Sequence, residues 1–126
     1  MPPLRTGIDL VEIGRLETLN PAIRRRFLER VFTPHELADA EGRWDTLSGR
    51  FAAKEAVVKA LGSGIGPVAW QEIEILRGDE GQPVLKLSGE ALRRAKTLEL
   101  STWSISISHT RAYAVAVAVA IAVGAA

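Results

Sequence analysis

The amino-acid sequence predicts an α+β fold: a single compact domain, residues 1–126, in which a largely antiparallel sheet packs with helices. Three observations carry this expectation. From Ala112 to Ala122 every even position is alanine, while Tyr113, Val115, Val117, Val119 and Ile121 fill the odd ones, the period of two that marks a strand. Arg50 to Leu61 is rich in alanine and straight-chain residues and stops at Gly62, the composition of a strong helix with a glycine terminator. Glu72 to Leu76 and Pro83 to Leu87 both alternate and flank the turn residues RGDEGQ, as a hairpin requires.

The remaining elements follow in chain order. Gly7 to Ile13 is apolar and β-prone, although Asp9 and Glu12 interrupt it. An arginine-rich helix is expected between Pro21 and Val31. Thr33-Pro34-His35-Glu36 then reads as a helix start, with threonine as the cap, proline in the first turn and glutamate closing the box. The glycines of GSGIGP after Leu61 force a loop, and Ser88 to Leu98 has the pattern of a short amphipathic helix. Trp103, Ile105 and Ile107 alternate with Ser104, Ser106 and Ser108 in a further strand, and His109-Thr110-Arg111 turns it into the C-terminal one. That last strand, continuing through Val123, sorts β-branched side chains from methyl groups. Such a strand suits a sheet with one face on the core and the other closely approached by a subunit neighbour. No internal repeat or linker interrupts the order.

Composition narrows the function. Charged residues are 25% of the chain but the formal net charge is only +1, so no global field points to nucleic acid or a membrane surface. The absence of cysteine excludes a disulfide framework, a thiolate zinc site and cysteine nucleophile chemistry. MPPLRTGIDL has neither a basic stretch leading into a long apolar run nor a small-residue cleavage site, so a cytoplasmic location is expected. The apolar run from Ala112 to Ala126 is shorter than the roughly 20 residues of a membrane-spanning helix.

Several residues can carry chemistry. A carboxylate at Asp9, among Ile8, Leu10 and Val11, needs a cation or a donor, and read alone it fits an edge position or an arginine pair as well as a metal ligand. Glu55 and Lys59 are spaced as a helical ion pair, yet Arg50, Lys54 and Lys59 concentrate positive charge around this one acid beside a glycine loop, which suits phosphate with a metal. In that loop Gly62, Ser63 and Gly64 can let backbone amides approach a phosphate, or simply cap the helix. His35 and His109 are too few for a nitrogen-rich transition-metal site, whereas carboxylates with phosphate oxygens favour Mg²⁺. Arg24, Arg25, Arg26 and Arg30 around Phe27 and Leu28 form a basic patch suited to an acidic protein helix.

The order and spacing of these segments resemble the holo-(acyl-carrier-protein) synthase family of the 4′-phosphopantetheinyl transferase superfamily. The landmarks are GIDLVEI from Gly7 with Arg15 close behind, RVFTPHEL from Arg30, GRFAAKEAVVKALGSGIG from Gly49, the EIEI strand, GQPVLKLSG and SISHT from Ser106. The resemblance implies the transferase fold over the whole chain. It also implies Asp9 and Glu55 as Mg²⁺ ligands, and Lys59 at the transferred phosphate. Arg50, Gly62, Ser63, Gly64, Pro83 and His109 would line the coenzyme A cleft, and Arg15 and Arg26 would dock the acidic helix of acyl carrier protein. Departures are limited to the loops near Asn20 and Trp44, Ser63 where threonine is frequent, and the alanine-rich tail.

The implied reaction, a step in fatty acid biosynthesis, moves 4′-phosphopantetheine from coenzyme A to a carrier-protein serine and leaves adenosine 3′,5′-bisphosphate. It leaves the proton acceptor open between Glu55 and a water on the metal. The family forms homotrimers with coenzyme A between subunits, which would give the alanine face of the last strand a neighbour to meet. A non-enzymatic trimeric module that binds a nucleotide or an acidic protein is the alternative.

Overall fold

The computed structural model describes residues 4–122, so Val123 of the parity pattern and the first three residues lie outside the described residues. Strand β1 (Leu4–Glu12) runs into a short helix α1 (Ile13–Glu17), followed by α2 (Pro21–Val31), α3 (Pro34–Ala40) and the long α4 (Trp44–Leu61). A 3-10 turn (Trp70–Glu72) leads to the hairpin β2 (Ile73–Arg77) and β3 (Pro83–Leu87), then α5 (Gly89–Thr97) and the hairpin β4 (Leu100–His109) and β5 (Tyr113–Ala122). The strands form two antiparallel sheets, one ordered β1-β5-β4 and the other β2-β3.

Helix α4 lies across the three-stranded sheet, and small residues let it come close. Ala52, Ala53, Ala56 and Ala60 are buried on the helix, and Ala114, Ala116, Ala118 and Ala120 are buried on β5. The alanine face of β5 is therefore the inner one, packed on the chain's own helix. This corrects the expectation that the alanine face meets a neighbouring subunit: where β5 turns only methyl groups toward α4, strand and helix approach more closely than valine would allow. The β-branched face points outward, where Leu4, Ile8, Leu10, Tyr113 and Ile121 are exposed and Val115, Val117 and Val119 are only half-buried.

A second core joins α2, α3 and the start of α4 through Val31, Phe32, Ala40 and Leu47, flanked by edge-to-face contacts of Phe27 with Phe32 and Phe51. Its anchor is ionic. Lys54, wholly buried, gives its ammonium to Glu36 Oε1 at 2.8 Å and to the carbonyls of Trp70 at 2.9 Å and Ile73 at 2.6 Å. Glu36 in turn accepts from the amides of Thr33 and Ile75, closing the capping box expected at Thr33 and tying α3 to β2. Burial lowers the Lys54 pKa, and the Glu36 charge opposes that shift. A pair so fully hydrogen-bonded is retained, while removal of either partner would strand a buried charge.

Candidate active site

The site begins with a glycine. Gly7 on the inner face of β1 sits under α4 so closely that a Cβ there would lie 1.8 Å from the Ala56 carbonyl oxygen and 3.0 Å from the Ala60 amide nitrogen. Two residues further along the same face comes Asp9, facing the turn of α4 that carries Glu55 and Lys59. Lys59 Nζ donates to the Ile8 carbonyl at 2.9 Å and to Asp9 Oδ1 at 3.3 Å. The Glu55 carboxyl is close enough to that of Asp9 to feel it, and its pKa is pushed up to about 7, first by burial and then by the neighbouring Asp9 carboxyl, with Lys59 opposing.

Two carboxyls held together against their charge, with one ammonium that does not cancel both, form an arrangement that a cation relieves. Among the described residues no group of three or more ionisable ligand side chains gathers at any point. Mg²⁺ takes hard oxygen donors and commonly uses only one or two carboxylates, drawing the rest of its shell from phosphate and water. Asp9 and Glu55 therefore fit Mg²⁺ shared with a phosphate-bearing ligand, and do not fit a fully protein-enclosed metal.

Both carboxylates line a cleft of about 440 Å³ that continues over Arg15 into an apolar trough of Leu16, Leu19, Ile23, Phe27 and Phe51. The trough is absent from the sequence reading. Its signal was present, since Leu16, Leu19, Ile23 and Phe27 recur at helical spacing, but the pattern spans two helices and an intervening turn. Arg15 and Arg26 are both exposed, and Arg26 stands one turn beyond Ile23 on α2.

The other expected residues are dispersed. Arg50 and Lys54 occupy a different face of α4 from Glu55 and Lys59, so the expected concentration of charge around Glu55 reduces to Lys59. The Arg50 side chain is buried, donates to the Ile75 carbonyl and pairs with Asp39 at 3.7 Å; burial lowers its pKa. Gly62 ends α4 with φ +70°, followed by Gly64 with φ +69°, and Ser63 Oγ between them is buried without a hydrogen-bond partner among the described residues. Pro83 opens β3 and lines a groove with Trp103 and Ser104. His109 closes β4 and shares a different cleft with Arg43, Trp44 and Arg111. Arg50, Pro83 and His109 thus lie outside the cleft of Asp9 and Glu55.

Comparison with known proteins shows the family of the chain. A sequence profile of the 4′-phosphopantetheinyl transferase superfamily matches residues 5–118. The holo-(acyl-carrier-protein) synthase of Moorella thermoacetica is 47% identical over 111 residues, 84% of this chain and 84% of that protein. That of Natranaerobius thermophilus is 44% identical over 106 residues, 82% of this chain and 85% of its own. The crystal structure of the Helicobacter pylori holo-(acyl-carrier-protein) synthase in complex with coenzyme A superposes with a TM-score of 0.82 at 34% identity, covering 91% of this chain and 98% of that one. The Bacillus anthracis synthase in complex with CoA (3′,5′-ADP) gives 0.75 at 35% identity, covering 94% and 96%. With a profile match over most of its length and relatives at these identities, the chain belongs to the 4′-phosphopantetheinyl transferase superfamily, within its holo-(acyl-carrier-protein) synthase family.

Proposed function

We infer that the chain transfers 4′-phosphopantetheine from coenzyme A to a serine of apo acyl carrier protein, giving the holo carrier protein and adenosine 3′,5′-bisphosphate. The single observation that carries the reading is the Asp9–Glu55 carboxyl pair with Lys59 beside it, in a family some of whose solved members are complexes with coenzyme A. In the reaction the serine oxygen bonds to the β-phosphorus, the bond from that phosphorus to the bridging oxygen breaks, and the serine proton leaves.

Asp9 and Glu55 would hold Mg²⁺, which when bound supplies charge neutralisation at the pyrophosphate oxygens. Lys59 is fixed on its neutral side by the Ile8 carbonyl, which keeps its half-exposed ammonium where it can offset charge on the transferred phosphoryl. The serine proton passes to Glu55 or to a water beside it. Arg15, on the rim of the same cleft, and Arg26 on α2 are placed to pair with an acidic carrier-protein helix whose apolar side chains the trough accepts.

The reading includes a homotrimer. The outward face of the β1-β5-β4 sheet is apolar along all of β5 and much of β1, the surface of an interface waiting for copies of itself. A neighbouring subunit would bring its Pro83 and His109 surfaces to the Asp9 cleft, in keeping with these two as coenzyme A contacts, whereas Arg50 is buried against Ile75 and Asp39 of its own chain. Among the described residues no helix is long and apolar enough to cross a membrane, in keeping with an expected cytoplasmic enzyme. Asp9→Ala and Glu55→Ala are each expected to nearly abolish transfer with far-ultraviolet circular dichroism unchanged, and retained turnover in both would remove the site assignment.

A further inference from the structure

The arginines of α2 are not equivalent. Arg25, Arg26 and Arg30 are exposed, whereas Arg24 is half-buried and turns its guanidinium onto its own chain. Its Nη1 donates to the Glu17 carbonyl at 3.0 Å, and its central carbon lies over the Trp44 ring, 6.0 Å from the ring centre. The first contact satisfies the carbonyl of the last residue of α1, one of those a helix leaves over at its C-terminal end. The second sets a flat cation on the face of an indole.

Through these contacts Arg24 reaches both clefts, although it lines neither. Glu17 and Trp44 line the cleft of about 600 Å³ that holds His109. Arg15 and Leu16, on the helix that Arg24 caps, line the cleft of Asp9 and Glu55. Trp44 is also the first residue of α4, the helix that carries Glu55 and Lys59. One side chain therefore ties α1 and α2 to the start of α4.

A docking cation must turn its donors toward the acidic partner, and Arg24 has turned its own onto a carbonyl and a ring of the same chain. We propose that Arg24 is a positioning residue for the transfer, holding Trp44 and α1 in place around the two clefts, and not a member of the docking patch. This rests on the transfer reading above, in which His109 contacts coenzyme A.

Substitution separates the two roles, because lysine keeps the charge of the patch but has no planar face for Trp44 and no fork to reach Glu17 at the same time. Arg24→Lys and Arg24→Gln are expected to raise KM for coenzyme A alike, by roughly fivefold, the worth of one such contact. In a Trp44→Leu chain, itself weakened toward coenzyme A, Arg24→Gln should add little to the loss. A rise confined to acyl carrier protein and repaired by Arg24→Lys makes Arg24 a docking cation and overturns the proposal. So does an unchanged KM for coenzyme A, or a full further loss when Arg24→Gln is added to Trp44→Leu.

The contact is decided apart from turnover by urea unfolding of wild type, Arg24→Gln, Trp44→Leu and the double variant. The double variant's midpoint is expected to fall by less than the two single falls together, and additive falls overturn the contact. If wild type transfers no phosphopantetheine, the transfer reading fails, and unfolding still decides whether Arg24 holds Trp44.

Discussion

Gly7 of β1 lies against Ala56 of α4 so tightly that a single added methyl group would overlap the Ala56 carbonyl. This contact sets the height of the helix above the strand, and hence the meeting of Asp9 with Glu55 and Lys59. Gly7→Ala must push α4 off the sheet, because the obstructing atom is backbone and cannot rotate away. The expected cost is at or above ~3 kcal/mol, the upper end of overpacking, with activity lost in whatever fraction folds. Urea unfolding with a parallel turnover assay checks it; an alanine variant of normal stability would mean that the helix is not held by this contact.

The Glu55–Asp9 pair makes stability and metal binding depend on pH in a fixed direction. Because the folded chain raises the Glu55 pKa from 4.5 to about 7, it holds a proton there that the unfolded chain has already released. Metal-free stability therefore falls as pH rises through that window, and the loss is complete above it. Glu55→Gln cannot ionise and is expected to be more stable than wild type at about pH 8 in chelator by roughly 1 kcal/mol, the full shift being discounted for solvent screening. A divalent cation competes with the proton, so Mg²⁺ should raise the wild-type melting temperature more at about pH 8 than at about pH 5.5, and hardly at all in Glu55→Gln. An equal Mg²⁺ effect at both pH values would contradict the ligand assignment.

The outward face of the main sheet predicts assembly. Val119, paired with Thr6 on one side and Ser104 on the other, stands in the middle of that face, away from Asp9 and from α4. Val119→Glu is expected to yield a folded monomer by sedimentation equilibrium and, under the proposal that a neighbour's surface completes the coenzyme A cleft, to lose turnover. A monomer with full activity would refute the shared cleft, and a trimer that tolerates the charge would refute the interface.

Charge reversal at Arg15 or Arg26 separates the two substrates. Both residues are exposed and make no ion pair among the described residues, so their loss leaves the fold untouched. Arg15→Glu and Arg26→Glu are expected to raise KM for acyl carrier protein about tenfold or more and to change KM for coenzyme A little. An equal rise for both substrates would argue against a docking role.

Much of this was legible in the sequence because it is local. The capping box at Thr33, the αL terminator at Gly62 and the two hairpins each depend on a few adjacent residues, and all formed where their residues stand. Helix α4 starts at Trp44, ahead of the expected Arg50, because Leu47 packs in the second core and Gly49 admits Ile107, tertiary contacts that outweigh the poor helix propensity of TLSG. Period alone divides β5 into two faces and cannot say which is inside; the answer lies in the alanines of a helix far away in sequence. The same distance hides the site's physics. Asp9 is an edge residue until Gly7 brings α4 over it, and Lys54 reads as an active-site cation until Glu36 is found holding it in the core.

The most direct test is the mass of apo acyl carrier protein after incubation with the chain, coenzyme A and Mg²⁺. The account predicts that the carrier protein gains the mass of one phosphopantetheine, that adenosine 3′,5′-bisphosphate appears in equal amount, and that chelator or Asp9→Ala stops both. A carrier protein of unchanged mass, in the presence of a folded chain that binds coenzyme A, would contradict it and leave a binding module in the enzyme's place.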